Sequence, residues 1–523
     1  MRVAWREIST LSGAALALAF LPSCALGVKV SEKWDPAHRK PIPLETAAGA
    51  WQSMKRGALP APAELDAYNG AVRGAVVQIA DNWASGNGRG PLLRTAQGDV
   101  GLRVASVGVP DLDRAEEIVP ADFVKVRRGL KTRSQTPGVG SPLIVRQPRS
   151  DADPMIPDTG LWVPATALLN LDRPSQPLLE FHDPTAAGTV ALGGARLPLA
   201  ANYTAAFARD FQDRQLQFKS LGALLRFEEY ADRIGLYRLT PFQPGKEPCI
   251  FIHGINSSPS TWDEVLNRLY ADPVIRDRYE FWTFGYPTGA PIPYMAAEFR
   301  DAIREMISFR RGRGAPTREI TIVGHSMGGL LARAMTFSGG EADWSRLFTV
   351  PIDRIDLPPA ERETLRRMIY FDAIPEVRRV VFCATPHRGT QMAAHPAAKI
   401  LGDLIEVPSQ LVRLSAEIVA RSAHALTPEG YEFARERLTS LDQLGAGAWT
   451  TAEFLNKPLS PAVQFHSLIG NRRLPHVPLE KAGDGVVSYS SAHLEGVVSE
   501  MVVRPSGHAV HQTDDGIEEI GRI

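Results

Sequence analysis

Cysteine is scarce in this chain, with three in 523 residues. Cys24 lies near the N-terminus; Cys249 and Cys383 sit in the aliphatic runs "CIFIHG" and "VVFCATP". That count excludes a disulfide framework, and the two internal thiols read as small hydrophobes. No cysteine–histidine group has zinc spacing. An excess of either charge is also missing. Lys+Arg and Asp+Glu stand at 58 each, without a basic block, so nothing offers nucleic acid an electrostatic footprint. The N-terminal apolar run, Leu11 to Leu21, has only 11 residues and is too short to cross a bilayer as a helix. The glycines of "GNGRG", Gly86 to Gly90, follow no strand, so they read as a loop and not as a phosphate cradle. What is present is ample apolar material. At 44% hydrophobic and 22% charged residues, the chain can bury a sizeable core, and its length suggests two or three domains.

The first 24 residues have the form of an export signal. Arg2 and Arg6 supply a positive start ahead of the Leu11–Leu21 run. Leu21-Pro22-Ser23-Cys24 resembles the bacterial lipobox, whose cysteine receives lipid and becomes the mature N-terminus. Pro22 departs from the small or aliphatic residue usual at its position. The competing reading is cleavage after Ala25, with Ser23 and Ala25 as the small pair. Both readings take the protein out of the cytoplasm. Lipidation at Cys24 would tie it to a membrane, and Ala25 rather than Asp after the cysteine implies outer-membrane sorting in a Gram-negative host.

Residues 25–62 are Pro-rich and read as a tether. A helical period follows, with Leu65, Tyr68, Val72, Val76, Ile79 and Trp83 on one face. Short β-like runs such as "GLRVASVGV" and "SPLIVRQ" then indicate an accessory region, 63–235, rich in short strands. Its charged residues are scattered and carry no chemistry of their own. From 236 to 523 near-continuous apolar strands alternate with helices, which predicts a mostly parallel sheet covered on both faces. Inserts near 338–376 and 391–461 interrupt the alternation.

Within that half, "ITIVGHSMGGLLARAM" joins a buried strand to a helix through Gly324-His325-Ser326-Met327-Gly328. The glycines leave room for a crowded corner that lifts the serine above the sheet edge. The helix start behind it aims N–H groups and a positive dipole end at any charge that forms there. A serine hydroxyl alone is a poor nucleophile, so a base and an orienting acid are required.

Together with "FIHGINSSPSTW", "ATPHRG" and "GDGVVS", this motif makes the 240–523 half resemble the α/β-hydrolase family, in particular its bacterial lipase- and esterase-like members. The motifs occur in the family's chain order. The resemblance implies an α/β-hydrolase fold with helical cap inserts, Asp484 of "AGDGVVSYSSA" as the acid, and a base after the last strand. "MVVRPSGHAVHQ" offers His508 and His511; His508, directly after the strand, matches better. The resemblance also implies an oxyanion hole from the backbone N–H groups of Met327 and Ile255. His253, His325 and His387 read as structural histidines.

The function this implies is hydrolysis of carboxylic esters outside the cytoplasm, through an acyl-enzyme on Ser326 and a small-molecule ester or lipid-like substrate. No metal or organic cofactor is implied. An acyltransferase or peptidase would use the same three residues, and a non-catalytic exported binding protein would keep only the fold. In the second insert, Leu401, Leu404, Ile405, Leu411, Leu414, Ile418 and Val419 form an apolar stripe, read as cap core or as a wall for an acyl chain.

Overall fold

The computed structural model describes residues 28–32, 41–58, 60–80, 83, 91–215, 219–395, 398, 401–435, 439–446, 448–473 and 477–523. The expected export signal with Cys24, and the Gly86–Gly90 loop, lie outside them.

Helices α1 (Leu44–Lys55) and α2 (Pro62–Ala80) open the N-terminal region. The stretch read as a tether is therefore folded where it is described. Lys29–Glu32 is a strand paired with Val124–Arg128, and α1 buries Leu44, Ala47, Ala50, Trp51 and Met54. Its prolines misled because Pro41, Pro43, Pro60 and Pro62 flank or begin helices, where proline's missing N–H is harmless. Trp51 stacks on Tyr68 and donates its indole N–H to Asp172 at 2.8 Å.

Five strands form the N-terminal sheet: β1 (Arg103–Val107), β2 (Glu117–Pro120), β3 (Ser141–Gln147), β4 (Leu161–Asn170) and β5 (Leu178–His182), in the order β1-β5-β4-β3-β2. One face packs against α1 and α2. The other packs against helix α3 (Tyr203–Arg214). With both faces covered, central strand β4 is buried along nearly its whole length.

Helix α3 has a second partner. Helix α4 (Ser220–Leu225) follows it, and then the second sheet begins: β6 (Gly235–Arg238), β7 (Glu247–Ile252), helix α5 (Asp263–Ala271) and β8 (Tyr279–Gly285). Phe207 of α3 meets Tyr270 of α5 edge-on at 4.9 Å, and Thr204 bonds Asn267 at 2.8 Å. Trp162, Phe207, Leu266, Phe251 and Phe281 belong to one continuous apolar cluster. The core runs unbroken from the first sheet into the second.

The second half continues with, among other elements, helix α6 (Ile292–Gly312), β9 (Ile320–His325), helix α7 (Met327–Ala334), β10 (Val377–Cys383), helix α8 (Ser409–Ser422), β11 (Gln464–Gly470), β12 (Ser499–Val503) and helix α9 (Asp514–Arg522). The seven strands run β6-β8-β7-β9-β10-β11-β12, parallel except for β6 at the edge. Helices α5 and α9 cover one face, α6 and α7 the other. This is the expected mostly parallel sheet with helices on both faces. The apolar stripe of the second insert divides. Leu401, Ile405, Leu411, Leu414 and Ile418 are buried, whereas Leu404 and Val419 are 53% and 40% exposed. Most of the stripe is cap core.

Cys249 and Cys383 are buried free thiols on β7 and β10, with β9 between them. Cys249 pairs with Thr321 and Cys383 with His325, so they are also offset along the strands.

Candidate active site

The corner read from the sequence is held by close backbone packing. A Cβ on Gly324 would come within 2.6 Å of the Gly328 carbonyl oxygen, and one on Gly328 within 2.5 Å of those of Ile252 and His253. No larger residue fits. Ser326 itself has φ 52° and ψ −123°, a conformation that costs an L-residue of order 1–3 kcal/mol. Its N–H donates to the Cys383 carbonyl at 2.8 Å, and α7 starts at the next residue.

Asp484 and His508 come from the loops after β11 and β12. The Ser326 Oγ lies 2.9 Å from His508 Nε2, and His508 Nδ1 lies 2.8 Å from Asp484 Oδ2. The partners fix the tautomer: the serine hydroxyl donates to Nε2, while Nδ1–H donates to the carboxylate. Asp484 is aimed by its own turn. Its Oδ1 accepts the N–H groups of Val486 and Val487, each at 2.8 Å, which leaves Oδ2 for the imidazole. All three residues are buried.

His511 is not part of this line. It lies in a short turn, Val510–Gln512, ahead of α9, with Nε2 on Thr261 Oγ1 at 2.9 Å and its ring against Trp262. His325 lies between the His511 and His508 rings, tilted to both, and donates its Nε2–H to the His508 carbonyl at 3.0 Å. Burial pushes the His511 imidazole down to about 3 and His325 well below its ordinary value, so both are neutral struts beneath the His508 loop. His253 is likewise pushed down to about 3 by burial, and stacks on Tyr286, whose hydroxyl donates to the His253 carbonyl at 2.7 Å. His387 accepts from Arg333 at 3.3 Å and is lowered by burial.

The loop after β7 presses on the nucleophile. A Cβ on Gly254 would lie 2.9 Å from the Ser326 Cβ. Ile255 follows, half-buried, and Asn256 turns the chain back at φ 50°. The amides of Ile255 and Met327 have no hydrogen-bond partner among the described residues. Thr288, in "YPTG", had no signal in the sequence and emerges as a hub. Its Oγ1 accepts the Asn256 N–H at 3.2 Å, its N–H donates to the Ala223 carbonyl at 2.9 Å, and its carbonyl accepts the Ser440 hydroxyl. The loop after β7, the segment before the second sheet, and the cap all meet there.

A serine, an imidazole and a carboxylate in one hydrogen-bonded line can activate the hydroxyl as a nucleophile. The model for the alpha/beta hydrolase family matches residues 249–520, just over half of the chain. The chain belongs to that family. Among solved structures, this α/β-hydrolase is similar to the Bacillus licheniformis lipase BlEst2. For the propeptide form, identity is 16%, TM-score 0.33, and coverage 54% of this chain and 52% of that one. For the mature form the figures are 15%, 0.32, 55% and 97%. A putative aryl esterase from Burkholderia cenocepacia is 15% identical at TM-score 0.25, over 55% of this chain and 92% of that one. The chain spans about half the length of the BlEst2 propeptide form. No curated protein matches it. Family and fold support a hydrolase.

Proposed function

We propose that this α/β-hydrolase is an exported serine esterase of the lipase type. The observation that carries the reading is the continuous line from Ser326 through His508 to Asp484, at 2.9 and 2.8 Å, starting from a strained corner. In this reading Ser326 Oγ attacks the ester carbonyl as its proton passes to His508 Nε2, while Asp484 stabilises the imidazolium. The N–H groups of Ile255 and Met327 take the oxyanion, aided by the positive end of α7. His508 then protonates the leaving alcohol, and water, activated by the same imidazole, releases the acid.

The test is a serine-directed fluorophosphonate with intact-mass readout, alongside a panel of p-nitrophenyl esters. Wild-type protein should gain one adduct on Ser326 and turn over esters; Ser326→Ala should do neither. Ester turnover by the purified variant near the wild-type rate would end the proposal. Export rests on Arg2, Arg6 and the Leu11–Leu21 run, and anchoring on Cys24. A mature chain starting at a lipid-modified Cys24 is expected, and an unmodified chain starting at Leu26 would mean simple secretion.

A further inference from the structure

The cap and the segment before the second sheet meet beside the nucleophile, and they meet through aliphatic side chains. Leu224 of α4 is buried in a small cluster with Leu401, Ile405 and Leu441 of the second insert. Leu225, Ile255 and Ala398 pack onto that cluster and stay partly exposed. Ile255 follows Gly254, where a β-carbon would come within 2.9 Å of the Ser326 Cβ. An apolar surface therefore begins at the nucleophile and runs onto α4.

This surface is fixed by backbone contacts from three parts of the chain. The Ala223 carbonyl accepts the Thr288 N–H, and the Leu225 carbonyl accepts the Glu406 N–H, both at 2.9 Å. A Cβ on Gly289 would come 2.2 Å from the Leu224 carbonyl oxygen and 2.7 Å from Ile405 Cγ2. The Gly289 turn, α4 and the cap are therefore in close contact at this point.

We propose that Leu225, Ile255 and Ala398, backed by Leu224, Leu401 and Ile405, form the wall that takes the acyl chain, so that a segment outside the seven-stranded sheet sets acyl-chain selectivity. The ligand class is an aliphatic acyl group. The wall contributes in proportion to the chain surface it covers, so its effect grows with acyl length. This inference rests on the esterase reading above.

Two fluorophosphonates, bearing ethyl and decyl chains, separate the two claims when their labelling rates are read by intact mass on the full chain. In the wild type both should modify Ser326, the decyl probe faster. If neither probe reacts, the esterase reading itself is wrong, and the wall with it. Leu225→Trp should lower the decyl-to-ethyl rate ratio about tenfold or more, because a filled pocket discriminates at that level. Ala398→Trp, in the second insert, should do the same. Leu221→Ser, on the exposed outer side of α4, should leave the ratio unaltered. A ratio that stays at the wild-type value in both tryptophan variants, or one that drops equally in Leu221→Ser, would overturn the wall while leaving the esterase reading intact.

Discussion

The five-stranded N-terminal sheet and the seven-stranded sheet are both covered by helices on both faces, yet they treat backbone strain differently. Four described residues other than glycine have positive φ: Asp111, Asn256, Ser326 and Ala384. Only Asp111 lies in the N-terminal region, at the start of a surface turn. The other three sit just beyond the C-terminal ends of β7, β9 and β10, which are neighbours in the sheet. Buried neutral histidines cluster at those same ends. Among the described residues, the second sheet gathers strained backbone and buried imidazoles at one edge, and the first does not.

That contrast breaks most sharply at Ser326. Ser326→Gly removes the hydroxyl and the β-carbon together, and glycine adopts the observed φ and ψ without strain. Ester turnover should drop by about three orders of magnitude or more, while the unfolding free energy rises by about 1 kcal/mol. Chemical denaturation and ester kinetics on the same preparation check both. A variant that loses activity without gaining stability would mean that the corner is not strained.

The second prediction concerns the join between the sheets. Phe207 reaches Tyr270 from α3, and the cluster around it spans both halves. Phe207→Ala should cost about 3–5 kcal/mol. If the core is continuous, wild-type and variant each unfold in one transition, with the variant's shifted lower. Two resolved transitions in calorimetry, only one of them moved, would show that the halves are energetically separate.

How far such features were legible depended on how local they are. The Gly324–Gly328 corner could be read because strand, turn and helix are contiguous and each glycine answers a nearby backbone clash. Asp484 and His508 were expected from the resemblance to the α/β-hydrolase family, which puts an acid and a base in the loops after two late strands. Helix α1 could not: its apolar spacing at Leu44, Ala47, Trp51 and Met54 was present, but the flanking prolines suggested a linker. Thr288 was invisible, since its role consists of three hydrogen bonds to residues between 32 and 152 positions away. The packing of α4 against the cap was hidden for the same reason. A contact made only in three dimensions leaves no periodicity.

A third prediction uses acid. His253 and His511 hold folded values of about 3 against about 6.5 in an unfolded chain. Between those limits the unfolded state binds more protons, so their contribution is complete above about 6.5 and is lost as pH falls toward 3. Asp210 in α3 works in the opposite sense. Burial raises its carboxyl to about 6, so its contribution is present below the ordinary carboxylate value of 3.8 and lost as pH rises through 6. His325 and His387 add to the histidine side. The urea midpoint should therefore be lower at pH 5 than at pH 7. His511→Gln should reduce the difference, whereas Asp210→Asn should enlarge it. An equal or higher midpoint at pH 5 would mean that buried carboxyl groups, Asp210 and Asp263 among them, dominate.

The smallest effect is a matter of chemistry without a stability cost. Cys249 and Cys383 lie on strands separated by β9, which puts them about 9–10 Å apart across the sheet before any offset along it. A disulfide needs Cα atoms within about 7 Å, so an oxidising compartment cannot join them in the folded protein. Burial also raises both thiols, Cys249 to about 12, which keeps them protonated and unreactive at neutral pH. A chromogenic disulfide reagent should detect neither thiol in the native protein and both after denaturation without reductant, with Cys24 counted separately by intact mass. Both should appear at the rate of global unfolding, because β7 and β10 flank β9, the strand that leads into Ser326. Rapid labelling of Cys383 alone would show that the sheet opens locally on the side of β10, and would move the boundary of the rigid half to β9.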